Sequence, residues 1–302
     1  MMCSDDYAVF LPSGSQQDHP IGITGFHRFH LGGTTITALC DGYFALSVHE
    51  VLRDGETPMQ PLLERACLGE VVSSHVNAFL IENRTHRVLV DAGAGDLQDA
   101  TLGDMSAQLA AAGLRPEQID TVLVTHLHPD HIGGLTRNGV AVFPRAVIHV
   151  PREEDAFWLG AGDPAAVDAS VRATFEHARQ ILAPYQAEGR YRLFDPGASW
   201  GDCLTAEPLA GHTGGHTGYR LRTDEGDVVF CGDLFHVASV QLADPDVTVC
   251  YDSEPAQARM TRATFLAEAC HRGDIVAAAH APFPGLGRID AGDNGYAWYP
   301  VA

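Results

Sequence analysis

Four side chains able to grip a metal ion stand in one short stretch, Thr125-His126-Leu127-His128-Pro129-Asp130-His131-Ile132-Gly133-Gly134. Imidazole nitrogens and carboxylate oxygens are ordinary ligands of zinc and its neighbours. His126 and His128, at i and i+2, can converge from an irregular loop at a strand end, while Asp130 and His131 can turn toward a second ion close by. Gly133 and Gly134 then permit close backbone approach. Four ligands do not complete two sites, so more must come from elsewhere. Gly211-His212-Thr213-Gly214-Gly215-His216-Thr217 offers another imidazole, Cys231-Gly232-Asp233 a carboxylate whose two oxygens can bridge a metal pair, and His280 a last imidazole. A lone histidine is more often a hydrogen-bonded structural residue; ordered recurrence after apolar runs outweighs that. Two divalent ions sharing a carboxylate also share a water, lower its pKa toward neutrality and turn it on an electrophile without a protein nucleophile.

The elements that must position these residues read as alternating strands and helices. Phe26 to Ala45 predicts a hairpin about Gly32-Gly33, with Phe29, Leu31, Ile36 and Ala38 alternating against polar neighbours. Strands are expected at Val76–Ile81 and Arg87–Val90, then a helix Ser106–Ala112 closed by Gly113 and a short apolar strand Thr121–Val124 just before the His126 loop. Ala146–Val150 predicts a strand, Pro151–Trp158 a helix begun by proline, and Val171–Tyr185 a longer amphipathic helix. Strands resume near Tyr191–Phe194, Thr205–Leu209, Tyr219–Arg222 and Val228–Cys231, with helix Pro255–His271 and strand Ile275–Ala278 after them. The pattern suits layered α/β architecture, read as one domain over 1–302 with an N-terminal extension (about 1–22) and a helical insertion (about 151–186) over the core.

Composition narrows the partners. The net charge is −20, and the 19 cationic residues are dispersed and all arginine, which disfavours nucleic acids and anionic membranes. No apolar run reaches the roughly 18 to 20 residues that a bilayer span needs. Met1 to Gln17 lacks the basic start and apolar run of a signal peptide, and the seven cysteines are scattered without a C-x-x-C pair. A cytoplasmic protein with reduced thiols is expected, each cysteine serving as a small buried hydrophobe.

The order H-x-H-x-D-H, G-H-T-x-G-H, G-D and a late His resembles the metallo-β-lactamase superfamily over most of the chain. The resemblance implies a four-layer αββα sandwich with the metals at one edge where loops of both sheets meet. It implies His126, His128 and His216 as ligands of one metal, Asp130, His131 and His280 as ligands of the other, and Asp233 as the bridge. Asp91, in Leu89-Val90-Asp91-Ala92-Gly93, matches the superfamily's early aspartate, which supports the ligands from behind. His149, His212 and His236 are expected in structural or supporting roles. Ser74-His75-Val76-Asn77-Ala78-Phe79-Leu80, Gly232-Asp233-Leu234-Phe235-His236-Val237-Ala238, Pro282-Phe283-Pro284-Gly285-Leu286-Gly287 and the Gly295–Val301 tail are similar to methyl parathion hydrolase and its lactonase-like relatives. Gly214 departs from the proline common there.

This likeness implies a dinuclear hydrolase using a metal-bridging hydroxide on lactones, aryl esters or phosphotriesters, with Asp130 also a proton shuttle. Two zinc ions are the default, manganese, iron and cobalt being accepted by such mixed sites. Phe157, Trp158, Phe175, Phe235 and Phe283 are the expected walls of an apolar pocket for a small neutral ester-type substrate. Relatives imply a homodimer. A β-lactamase is disfavoured because Asp233 stands where dinuclear β-lactamases carry Cys, and a nuclease because basic surface is missing. A thioesterase of the glyoxalase II kind shares the ligand set but calls for cations to meet its anionic substrate. A non-catalytic ligand sensor on the same fold is the alternative from a different class.

Overall fold

The computed structural model describes residues 25–53, 55, 57–83, 86–97, 101–160, 169–292 and 295–301. The expected N-terminal extension and part of the expected insertion, 161–168, lie outside them. Two seven-stranded sheets form the centre. The first runs in chain order through β1 (Phe26–Leu31), β2 (Thr34–Ser47), β3 (Val71–Glu82), β4 (Arg87–Val90), β5 (Thr121–Leu123), β6 (Val147–Pro151) and β7 (Tyr191–Phe194). The second does likewise through β8 (Ser199–Trp200), β9 (Leu204–Pro208), β10 (Thr217–Thr223), β11 (Gly226–Phe230), β12 (Ile275–Ala277), β13 (Leu286–Gly292) and β14 (Gly295–Pro300). The helices are α1 (Met59–Ala66), α2 (Met105–Ala111), α3 (Ala169–Ala187) and α4 (Pro255–Arg272), with several shorter turns.

Alternation along the strands builds the layers, because successive side chains point to opposite faces. Ala38, Phe79, Ile81, Val88, Val90 and Leu123 face inward and meet Leu204, Tyr219, Leu221, Val228, Phe230 and Ile275 of the second sheet. Their neighbours Leu39, Ala78, Leu80, Leu89 and Val122 face outward under α2 and α3, packing on Met105, Leu109, Ala178 and Leu182. On the far side Val229 and Val276 pack under Phe265, Leu266 and Ala269 of α4. The result is the expected four-layer αββα sandwich. Both faces of the central strands are apolar, which is why they read as short continuous hydrophobic runs.

Two parallel pairs set the position of the chemistry. β4 runs parallel to β5 in the first sheet and β11 parallel to β12 in the second, so their carboxyl ends emerge at a common edge. There the sheets are tied together: Tyr219 Oη donates to Val124 O (2.6 Å), and the Thr217 and Asn77 amides donate to Thr125 O and Ala279 O. The segment begun by Pro151 forms one helical turn, Arg152–Glu154, that continues as a π-helix over Asp155–Leu159. α1, β13 and β14 were not legible in the sequence, the last being an edge strand with no clear alternation of burial.

Candidate metal centre

His126, His131, Asp233 and His280 all lie just past the carboxyl ends of β5, β11 and β12, and the loop before β10 closes over them. His126, His128, His212 and Asp233 bring ligand atoms to within 4.8 Å of one another, and Asp130, His131 and His280 do the same beside them. Asp233 stands between the two groups. Its Oδ1 is 3.0 Å from His131 Nε2 and 3.2 Å from His280 Nε2, while its Oδ2 is 3.3 Å from His212 Nε2 and 3.6 Å from His126 Nε2. Asp130 Oδ2 lies 3.4 Å from His280 Nε2 and 3.6 Å from His131 Nε2.

The outer ring nitrogens of His126, His131, His212 and His280 are spoken for, which fixes how those four imidazoles face. Asp91, at φ 59 in the left-handed region that aspartate tolerates better than most residues, accepts from the Thr125 amide (2.8 Å), the Thr125 hydroxyl (2.9 Å) and His131 Nδ1 (2.8 Å). The Thr125 hydroxyl in turn accepts from His126 Nδ1 (3.1 Å), so one carboxylate orients two rings, as expected of Asp91. His280 Nδ1 donates to His75 O (2.8 Å). The loop carrying His280 hangs on Asn77, whose Nδ2 lies 3.0 Å from Ala279 O and 2.9 Å from Ala281 O.

His216 does not join the cluster, contrary to the expectation. Its Nδ1 donates to Leu209 O (2.9 Å) and its Nε2 accepts the Asp233 amide (3.1 Å), so neither nitrogen is left to hold a metal. His212, expected only to support, takes that place: Nδ1 donates to Asp252 Oδ1 (3.0 Å) and Nε2 turns inward. Behind Asp252 stands Arg262, 1% exposed, whose Nε and Nη1 donate to Leu234 O, Pro245 O and Val247 O. Gly232 must be glycine, at φ 52 with a Cβ placed 2.5 Å from His216 Nε2.

The donor set fits metal ions. His126 Nε2, His131 Nε2 and Asp233 Oδ1 are buried and have no hydrogen-bond partner. His212 Nε2 meets His128 Nδ1 at 3.0 Å, a pairing that a proton or a cation must mediate. Burial and, to a smaller degree, neighbouring imidazoles hold His126 and His128 well below the usual histidine range. Burial acts in the same direction on His212, yet hydrogen bonds to Asp233 and Asp252 prevail and raise it to about 9. The same contest, won chiefly by the Asp233 charge, raises His131 and His280. Burial penalises the Asp233 carboxylate too, but His131, His280 and His126 hold it well below the ordinary carboxylate range. A buried carboxylate among so many imidazoles draws positive charge, from protons or from metals.

The comparisons with known proteins agree with this geometry. The sequence profile of the metallo-β-lactamase superfamily matches residues 73–280. The chain belongs to that superfamily. A crystal structure of AbOPH, a hydrolase in the same superfamily, superposes with a TM-score of 0.87 at 35% identity, covering 93% of this chain and 98% of that one. AidC, a dizinc quorum-quenching lactonase seen with its product N-hexanoyl-L-homoserine, shares the fold at a TM-score of 0.85 and 23% identity, covering 92% and 98%. A probable metallo-hydrolase of Mycobacterium tuberculosis is 26% identical over 68% of this chain and 72% of its own length. As a member of the metallo-β-lactamase superfamily with this cluster, the protein is a metal-dependent hydrolase.

The aromatic residues expected as walls divide into two groups on this metallo-β-lactamase scaffold. Trp158 stands edge-on to His128 with centroids 5.5 Å apart, and Phe175 (4.9 Å) and Phe157 (4.8 Å) pack against it. Phe157 is 56% exposed, whereas Trp158 and Phe175 are each only 5% exposed and belong to the core outside the first sheet, so of these three expected walls only Phe157 presents surface. Phe235 belongs to the core instead, fully buried beneath the second sheet with its ring against Trp298. Phe283 packs on the layer between the sheets. Phe44 lines the site where Phe283 was expected, edge-on to His280 at 5.8 Å. His236, expected to support the ligands, stacks on His280 (4.8 Å, 18°) with Nε2 3.2 Å from Asp233 Oδ2, and Asp233, His236 and His280 also bring ligand atoms to within 4.8 Å of one another. Cys231 is fully buried, its thiol pushed up by burial, and fills space beside the bridge.

Proposed function

We propose that the chain holds two divalent ions, zinc by ligand type, and hydrolyses neutral carboxylic esters or lactones bearing an apolar group, with aryl phosphotriesters as secondary substrates. His126, His128 and His212 would hold one ion, Asp130, His131 and His280 the other, and Asp233 both. Bound there, such ions supply an activated water and polarise the carbonyl or phosphoryl oxygen. The single observation that carries the reading is Asp233 set between two groups of inward-facing ligand atoms, with His126 Nε2 in one and His131 Nε2 in the other buried and without a hydrogen-bond partner.

The protein's own residues do the rest. Asp91 and Asp252 lock the tautomers of His131 and His212 so that their Nε2 lone pairs face inward. Asp130, whose side chain is 15% exposed against 3% for Asp233, stands nearest solvent and is placed to accept the proton from water and pass it to the leaving oxygen. Phe157, which is exposed, and the partly buried Phe44 offer apolar surface on either side, and no lysine exists in the chain to attract an anionic substrate. That balance favours uncharged esters over the charged thioester of a glyoxalase II. The product bound to AidC, the ring-opened form of a lactone, is in keeping with this choice. A homodimer and a cytoplasmic setting belong to the same proposal, resting on the likeness to relatives and on the scattered cysteines.

Metal analysis together with rates on a p-nitrophenyl ester, a γ-lactone and a diethyl aryl phosphotriester tests the reading. Two metal equivalents, turnover of ester or lactone above phosphotriester, and loss of rate on chelation are expected. Phosphotriester rates far above the others would overturn the substrate order. Two bound metals without turnover of any ester would favour a ligand sensor.

A further inference from the structure

Glu154 is 1% exposed, stands outside the ligand set, and gathers three donors from three separate pieces of chain. Its Oε2 accepts the Leu127 amide (2.9 Å) and Trp158 Nε1 (2.9 Å), and its Oε1 accepts the Gly215 amide (3.0 Å). Leu127 is the residue between His126 and His128. Gly215 lies in the loop that carries His212. Trp158 is the buried ring that stands edge-on to His128. The fit around the carboxylate is close, since a Cβ on Gly215 would lie 2.6 Å from the Glu154 amide nitrogen and 2.9 Å from its Cγ. No hydrogen bond of this kind reaches Asp130, His131 or His280 among the described residues, and their supports are Asp91 and the His75 carbonyl.

We infer that Glu154 is a positioning residue of the His126, His128 and His212 half of the metal centre, acting beside Asp252 and the Asp91–Thr125 pair, and that through it Trp158 and that half are set as one unit. The inference rests on the dinuclear reading above and assigns a residue that the reading does not use. A carboxylate is suited to the task because one rigid, planar group accepts hydrogen bonds from both ligand loops at once, which an amide of the same shape cannot do without turning an N–H toward a donor. Removing supports behind metal ligands ordinarily costs about 10- to 100-fold in metal affinity. Here that loss should fall on one half alone, since the hydrogen bonds of Glu154 go to Leu127, Trp158 and Gly215 and none reaches Asp130, His131 or His280.

The test is zinc affinity, measured by competition with a chromogenic chelator, in two backgrounds that each leave one half intact. Glu154→Gln added to His280→Ala, where the His126, His128 and His212 half remains, should weaken zinc binding tenfold or more. The same change added to His212→Ala, where Asp130, His131 and His280 remain, should leave affinity within about twofold. Trp158→Phe keeps the ring and removes one donor to Glu154, so it should weaken the first half severalfold and not the second, and it carries the test should Glu154→Gln not fold. Equal losses in both backgrounds, or in neither, overturn the inference. Wild-type protein that takes up fewer than two zinc ions overturns the dinuclear reading itself.

Discussion

The exchange of His216 for His212 as a metal-facing residue makes Asp252 a critical support, and replacing it with asparagine tests the assignment. The wild-type carboxylate accepts His212 Nδ1 at 3.0 Å on Oδ1 and the Val249 amide at 3.0 Å on Oδ2. Asparagine offers one acceptor oxygen, so in either orientation its NH2 group confronts a buried N–H. That orphaned donor costs about 1–3 kcal/mol. The lost negative charge also leaves Arg262, with Nη2 3.8 Å from Oδ2 and 1% of its surface exposed, without its nearest carboxylate. Breaking a well-formed buried ion pair costs about 3–5 kcal/mol, and this long one should sit below that range because the guanidinium keeps three carbonyl partners. Together the two effects come to about 3–5 kcal/mol. At about 2–3 °C per kcal/mol for a chain of this size, Tm should fall by about 6–15 °C. Zinc affinity at the His126, His128 and His212 half should drop about 10- to 100-fold, because His212 is no longer held in the tautomer that faces inward. Calorimetry and chelator competition read the two effects separately. An unchanged zinc affinity in Asp252→Asn protein of normal fold would refute the placing of His212 among the ligands.

His212→Ala should bind one equivalent of metal where wild type binds two; His216→Ala should keep both while losing stability, since Leu209 O and the Asp233 amide each lose a partner, and the reverse outcome would place His216 among the ligands. Gly232→Ala should lower Tm and zinc affinity together, because its Cβ would collide with His216 Nε2 at 2.5 Å from a left-handed backbone; a variant with wild-type melting and metal content would show that the loop can move. Burial, with Arg192 adding to it, lowers His149 to about 4, so this ring binds protons more readily in the unfolded chain. Its contribution to stability is therefore complete above about pH 6.5 and is lost as pH falls toward 4. His149→Phe, which keeps an aromatic ring against Trp200, should make the fall of Tm between those pH values shallower, and an unchanged slope would show that other groups control it.

Much of the candidate site was legible because the side chains able to hold a metal cluster locally. His126, His128, Asp130 and His131 come directly after the apolar strand β5, and the ends of β11 and β12 announce Asp233 and His280 in the same way. The sandwich was legible for a related reason: strands buried on both faces leave apolar runs whose ends are sharp. The hidden features depend on partners distant in the chain. Asn77 holds carbonyls up to 204 positions away, and Glu154 joins loops 27 and 61 positions away. Buried side chains of this kind carry no local signal, since nothing near them in the sequence states which backbone amides or carbonyls they will meet. Phe235 and Phe283 misled for the converse reason, because closeness in sequence to a ligand does not decide which face of a sheet a ring will occupy.

The choice between His212 and His216 shows where the boundary falls. Both imidazoles belong to one Gly-rich loop, both are buried, and both rings come near Asp233. What separates them is the partner of Nδ1. His212 donates to a carboxylate backed by a buried arginine, which strengthens its Nε2 as a ligand and leaves that nitrogen facing Asp233 Oδ2. His216 donates to the Leu209 carbonyl, just past β9, and spends Nε2 on the amide of Asp233, so it fixes where that carboxylate sits without facing the proposed metals. One histidine of the motif thus faces the proposed metal pair and the other holds the carboxylate proposed to join it. The assignment rests on Asp252 and Arg262, 40 and 50 positions further along the chain, rather than on the spacing of the motif itself.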